Sequence, residues 1–147
     1  MSEKNPGLSA DERAAAKART AELRAEAKRA KGAEKIAAEL KDCVDAIEAM
    51  DGLDAQLAQT IRRVVAEHAP QLTARTWYGM PAYALDGKVI LFFQAAAKFK
   101  ARYATLGFDG AAALDEGLMW PTAYALTGMD SEIEARITAL VRRAAGQ

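Results

Sequence analysis

The stretch that most constrains the fold runs from Thr76 to Phe93, Thr-Trp-Tyr-Gly-Met-Pro-Ala-Tyr-Ala-Leu-Asp-Gly-Lys-Val-Ile-Leu-Phe-Phe. Asp86-Gly87 sits between two runs of β-prone residues, which is the strongest hairpin signal in the chain. The return run, Val89 to Phe93, is apolar at every position, so it belongs to a central strand covered on both faces. Before the hairpin, Leu72 to Tyr78 has the aromatic and β-branched content of a strand. Pro81 cannot donate a ladder hydrogen bond, so Gly79-Met80-Pro81 is expected to break or bend the chain there.

On either side of this stretch the chain is rich in alanine and reads mainly as helix. Pro6 and Gly7 give the first eight residues no regular pattern, and disorder is expected there. Ser9 with Glu12 forms a capping box, opening a helix that Gly32 is expected to stop. Leu23 is its one large apolar residue, so this first helix is expected to be an exposed arm. A second helix follows over residues 33–50, with Ile36, Leu40, Val44 and Ile47 on one face. A third runs from Leu53 to His68, its stripe formed by Leu53, Leu57, Ile61, Val64, Val65 and His68. The expected organisation is therefore an N-terminal extension at 1–32 and an α+β domain at 33–147.

After the hairpin, Lys98 to Tyr103 alternates strictly and predicts a half-buried strand. Phe99, Ala101 and Tyr103 would point inward, with Lys98, Lys100 and Arg102 in a basic row outside. Asp109 to Glu116 suggests one or two helical turns. Leu118 to Leu126 suggests a last strand, which Pro121 either places at an edge or gives a bulge. Ser131 with Glu134 predicts the start of a closing helix, whose stripe is Ile133, Ile137, Leu140 and Val141. Helices at both ends of an antiparallel run predict a two-layer sandwich, one twisted sheet with helices on one face.

Charge and rare residues narrow the chemistry. Acidic and basic side chains number 20 each, so there is no global pull toward nucleic acid. No apolar run approaches a membrane span, and the expectation is a soluble cytoplasmic protein. Cys43 is the only cysteine and His68 the only histidine, so a Cys/His zinc site cannot be built from this sequence. Cys43 is expected to pack as a small apolar side chain, and His68 to sit partly buried at a helix end. No Gly-rich phosphate loop and no Gly-x-Ser-x-Gly elbow is present. Catalysis is not the expectation. A deep pocket lined by Tyr78, Met80, Tyr83, Tyr103 and Trp120 would revive it.

The central motif resembles a known family. Trp77-Tyr78-Gly79-Met80-Pro81-Ala82-Tyr83, then Asp86-Gly87-Lys88, Phe92-Phe93 and Lys98, is similar to the YdhG-like family of small bacterial domains. Some of its members are described as frataxin-like iron chaperones. The resemblance covers about Ala37 to Ala144 and implies a two-layer fold, in the order α-β3-α-β2-α. It also implies iron as cargo, passed to a protein partner. Two departures bear on that role. Thr73-Ala74-Arg75-Thr76 lacks the carboxylate that relatives carry before the motif. Lys98 is followed by Phe99 and Lys100 where relatives often have a histidine.

Two functional expectations follow. In the first, Glu39, Asp42, Asp45 and Glu48 on the second helix hold a metal such as iron weakly. In the second, Lys98, Lys100 and Arg102, with Arg75 and Trp77 on a neighbouring strand, bind a small anionic or aromatic ligand on the open sheet face. Either would suit a monomer or a homodimer.

Overall fold

The computed structural model describes residues 9–147, so the disorder expected for the first eight residues lies outside the described part. The element order is α1 (Ala10–Glu48), α2 (Gly52–His68), β1 (Thr73–Trp77), β2 (Met80–Leu85), β3 (Lys88–Gln94), β4 (Ala104–Phe108), β5 (Ala123–Leu126) and α3 (Ser131–Ala144). The strands form one antiparallel sheet in sequential order, β1-β2-β3-β4-β5, with β3 at its centre. This is an α+β fold. No helix separates β3 from β4, so the order implied by the family resemblance is not the one observed.

The chain divides into two compact units, Met1–Ala37 and Ala38–Gln147. The described part of the first is helical from Ala10 onward and exposed throughout. Its capping box is formed as expected: Ser9 N–H donates to Glu12 Oε1 at 3.2 Å, and Glu12 N–H to Ser9 Oγ at 3.1 Å. Gly32 does not stop the helix. It sits within α1 and its cost there, about 1 kcal/mol relative to alanine, is outweighed by the good helix formers around it. The two expected helices are one.

In the second unit, the end of α1 buries Cys43 and Ile47, whereas Leu40 of the expected stripe remains exposed, as does Ile36 in the first. Most of the α2 stripe behaves as read, with Leu57, Ile61, Val64 and Val65 buried, but Leu53, in the first turn, stays exposed. His68 is half-buried in its last position, also as read. On α3, Ile137, Val141 and Ala144 are buried. Its cap is Asp130, one residue earlier than expected, whose carboxylate accepts from Ile133 N–H at 2.8 Å. These helical faces join Tyr83, Leu91, Phe93 and Leu106 in one apolar cluster on one side of the sheet.

Two tight hairpins build β1 to β3. Asp86 and Gly87 have φ of 51° and 81°, the left-handed pair a type I′ turn requires. The first turn was not foreseen. Tyr78 and Gly79 take φ of 51° and 76°, and Trp77 pairs directly with Met80. The break expected at Gly79-Met80-Pro81 is therefore a full chain reversal at Tyr78-Gly79, with Met80 and Pro81 already in β2. Pro81 lies fully buried inside β2, opposite Thr76. Trp77–Met80 closes a two-residue turn, so the next pair, Thr76–Pro81, is a non-hydrogen-bonded one. The missing N–H of Pro81 consequently faces the β3 side, beyond the last paired residues there, Ala82 and Phe92.

The second half of the sheet departs further from expectation. Residues 98–103 are a turn, not a strand, and β4 begins only at Ala104. The cause is a remote carboxylate. Asp54, in the first turn of α2, accepts from the N–H groups of Ala96 and Ala97, both at 3.0 Å. Ala101 N–H then bonds Ala96 O at 2.9 Å, curling the chain away from the sheet. Residues 109–116 form turns instead of helix, and only Ala123–Leu126 of the expected last strand is paired. It takes the edge position, the first of the two alternatives read for it.

Candidate functional site

The four α1 carboxylates do not converge. Among the described residues no group of three or more Asp, Glu, His or Cys side chains is placed to hold a metal ion. Asp45 is engaged by Lys41 at 2.7 Å, and Glu39 faces Arg75 at 3.9 Å. Side chains three and four apart on a helix fan over its surface, and nothing opposite α1 supplies the ligands needed to complete a hard-cation site.

The basic row is likewise not assembled. Lys98 turns back to donate to Gly79 O at 2.8 Å, locking the first hairpin. Lys100 sits in the left-handed region at φ 53°, and Arg102 lies over the Tyr103 ring at 5.1 Å. Arg75 and Trp77 do occupy β1 on the face opposite Tyr83, as expected from alternation. Both are already engaged. Arg75 Nε donates to Thr76 O at 3.2 Å, and Trp77 packs on Phe92 with ring centroids 5.2 Å apart. Phe92 in turn lies on Gly107, where any side chain would overlap its ring. The open face is thus a filled aromatic surface. Of Tyr78, Met80, Tyr83, Tyr103 and Trp120, whose shared pocket would have revived catalysis, Trp120 lines a cavity to which the other four do not contribute.

That cavity, about 250 Å³, lies under the β4–β5 connection and is lined by Phe108, Asp109, Gly110, Ala112, Leu114, Asp115, Trp120 and Thr122. Its construction follows from the ends of β4 and α3. Phe108, Ala112 and Leu114 are buried and form the apolar part, with Phe108 braced edge-on by Tyr124 at 6.1 Å. Phe108 N–H donates to Thr122 O at 2.7 Å, and Asp109 N–H to Ile90 O at 3.0 Å, which fixes both strand ends. From α3, Ala144 O accepts from Ala113 N–H at 3.0 Å. Arg143 reaches the carbonyls of Leu114 and Asp115, each at 3.4 Å, and pairs with Glu116 at 3.0 Å. The loop is therefore held by the basic end of a helix, a placement that the helix dipole favours.

Trp120 is half-buried, and Asp109 and Asp115 are exposed. Among the described residues neither aspartate has an ion-pair partner. Arg143 stands nearby on Glu116 and the Asp115 carbonyl, and Trp120 gives the cavity an aromatic wall of the kind on which cations lie. Sequence reading missed this site, because 109–116 looked helical and the carboxylates carry no motif. The only available signal was Trp120-Pro121 in an otherwise uncharged stretch.

The Cys43 thiol is buried, as read from the sequence, and burial pushes it up from its ordinary value. Burial pushes the Tyr83 phenol well up too. The two groups are close enough to perturb each other, and among the described residues the buried Tyr83 hydroxyl has no hydrogen-bond partner of good geometry. No helix of the described residues is long and apolar enough to cross a membrane. Comparison with family models, curated proteins and solved structures returned no match.

Proposed function

We propose that this protein is a non-enzymatic binding module for a small organic cation, held between Trp120 and the carboxylates of Asp109 and Asp115. The observation that carries the reading is the cavity of about 250 Å³ that joins an aromatic side chain to two acidic groups with no ion-pair partner among the described residues. Its lining is mainly apolar, with Thr122 its one hydroxyl, and the reading is of binding and not turnover. The size suits an alkylammonium or guanidinium group, whose charge would be met by carboxylates and whose flat or methylated surface would lie on the indole. The family resemblance is in keeping with a carrier role, but iron would require Glu39, Asp42, Asp45 and Glu48 to converge, and they are dispersed. The proposal rests on the cavity alone.

Titration with tetramethylammonium, guanidinium and butylammonium, followed by amide and indole NMR shifts, tests it. Saturable shifts are expected at Trp120, Asp109, Asp115 and Thr122, with affinity of about millimolar for so few atoms. Asp109→Asn with Asp115→Asn should weaken binding about tenfold, about 1.4 kcal/mol. Absence of saturable shifts, or equal shifts with acetate, would overturn the reading.

A further inference from the structure

The balanced charge of the whole chain hides a local excess. Over residues 10–37 of α1, in the first compact unit, basic side chains outnumber acidic ones by eight to five. They are not scattered. At about 100° per residue, Arg13, Lys17, Arg24, Lys28, Lys31 and Lys35 fall within an arc of about 60° on one side of the helix. Asp11, Glu12, Glu22 and Glu26 lie about 100° or more outside that arc, and Glu34 alone comes near it, close to one end. On the acidic side Arg19 pairs with Glu22 at 3.1 Å and faces Glu26 at 3.7 Å. Among the described residues the six members of the basic stripe have no ion-pair partner. One face of the helix is thus partly compensated by its own charges, and the other is not.

The stripe asks for a long, regular anion. From Arg13 to Lys35 it runs roughly 33 Å, about one turn of a DNA duplex. All of residues 10–37 are exposed. Small residues flank the stripe, Ala16, Thr20 and Ala27 on one side and Ala14, Ala21 and Gly32 on the other, so the helix is slim where it is charged. A helix about 10–12 Å across enters a DNA major groove about 12 Å wide, whereas the deep, narrow major groove of duplex RNA does not admit it. Residues 10–37 contain no aromatic side chain on which single-stranded bases could stack. Their only large apolar residues, Leu23 and Ile36, each lie about 80° outside the stripe, which leaves no apolar face to enter a bilayer.

We infer that this face of α1 docks along the major groove of duplex DNA, its six cations meeting phosphates on the groove walls. Four of the six are lysines, which meet phosphates as point charges, so the contact positions the helix without reading sequence. Screening over about 8–10 Å at ordinary salt leaves the local stripe, and not the zero net charge of the whole chain, to set the attraction. The drive is release of the counterions condensed on the duplex.

Fluorescence anisotropy of a labelled DNA duplex titrated with the full chain should show saturable binding at low salt, equal for two unrelated sequences. The logarithm of affinity should fall against the logarithm of salt with a slope of about −4 to −5, as six phosphate contacts require. R24E combined with K28E removes two members of the stripe and should weaken binding at least about tenfold, with an unchanged circular dichroism spectrum. R19E combined with R29E makes the same change of net charge outside the stripe and should cost about threefold or less. Duplex RNA and phosphatidylserine vesicles should bind more weakly than DNA. No binding at low salt would overturn the inference. So would equal losses in the two variants, or binding to duplex RNA or vesicles as tight as to DNA. If R24E/K28E loses its helix, amide NMR shifts of the unaltered chain decide: shifts over residues 13–35 on adding DNA uphold the inference, and shifts only elsewhere overturn it.

Discussion

The two halves of the sheet are built by different rules. β1, β2 and β3 are joined by two-residue turns whose geometry is set by the turn residues themselves, Tyr78-Gly79 and Asp86-Gly87. β3, β4 and β5 are joined by segments 95–103 and 109–122, which contain no strand or helix. Those segments are shaped from outside, by Asp54 at the start of α2 and by Arg143 at the end of α3. Local chemistry makes the first half, and long-range capture makes the second. The candidate cavity lies in the second half, where a remote side chain can hold a loop open over the core.

The largest effect should come from removing the remote anchor. Asp54→Ala leaves the N–H groups of Ala96 and Ala97 without their charged acceptor. Hydrogen bonds to charged groups contribute about 1.5–3 kcal/mol each, and partial exposure lowers the sum to about 2–4 kcal/mol. Urea denaturation should record that loss, and Asp54→Asn should keep about half of it, since one amide oxygen can still accept. Hydrogen exchange should rise over residues 95–103 and leave both hairpins unchanged. Loss of protection in the hairpins as well would mean that the two halves are not built separately.

A smaller and purely local effect is expected from Gly87→Ala. Nothing lies within 4 Å of the added methyl, but the residue has φ of 81°. The cost is therefore backbone strain alone, about 1–2 kcal/mol. Its consequences in hydrogen exchange should be confined to β2 and β3. Spread into 95–103 or 109–122 would contradict the contrast.

The same division explains what could be read in the sequence. Asp86-Gly87, the apolar run of β3, the α2 stripe and the α3 stripe were legible because each signal is local: a turn dipeptide or a period of 3.6. The alternation of Lys98 to Tyr103 was a sound local signal that lost to Asp54, a residue more than forty positions away whose role no local pattern announces. The same holds for 109–116, whose alanines favour helix until α3 captures Ala113 and Arg143 ties down the next turn. Tyr78-Gly79 was missed for the opposite reason. Tyrosine is an unusual occupant of a left-handed position, and its edge-on contact with Trp77 at 4.9 Å offsets part of that strain. Because the candidate cavity is assembled by captured loops, it was hidden along with them.

The smallest expected effect concerns the one place where the first half depends on something distant. Tyr83 of β2 meets Cys43 of α1 in the core, and the Tyr83 hydroxyl has no partner. Tyr83→Phe removes an unsatisfied polar group while keeping the ring, so it should stabilise the protein by up to about 1 kcal/mol. The pH dependence follows from the same burial. Both groups ionise less readily in the fold than in the open chain, where their ordinary values are 9.0 for the thiol and 10.0 for the phenol. Between the unfolded and folded values the native state binds more protons, so stability falls as pH rises. The decline should begin near the ordinary thiol value, with the phenol adding to it at higher pH. Cys43→Ala should delay its onset, and Tyr83→Phe should flatten the later part. A denaturation midpoint that holds level through this range, or declines equally in both variants, would show that the pair does not couple α1 to the sheet through ionisation. The first half would then be as local in its energetics as it is in its turns.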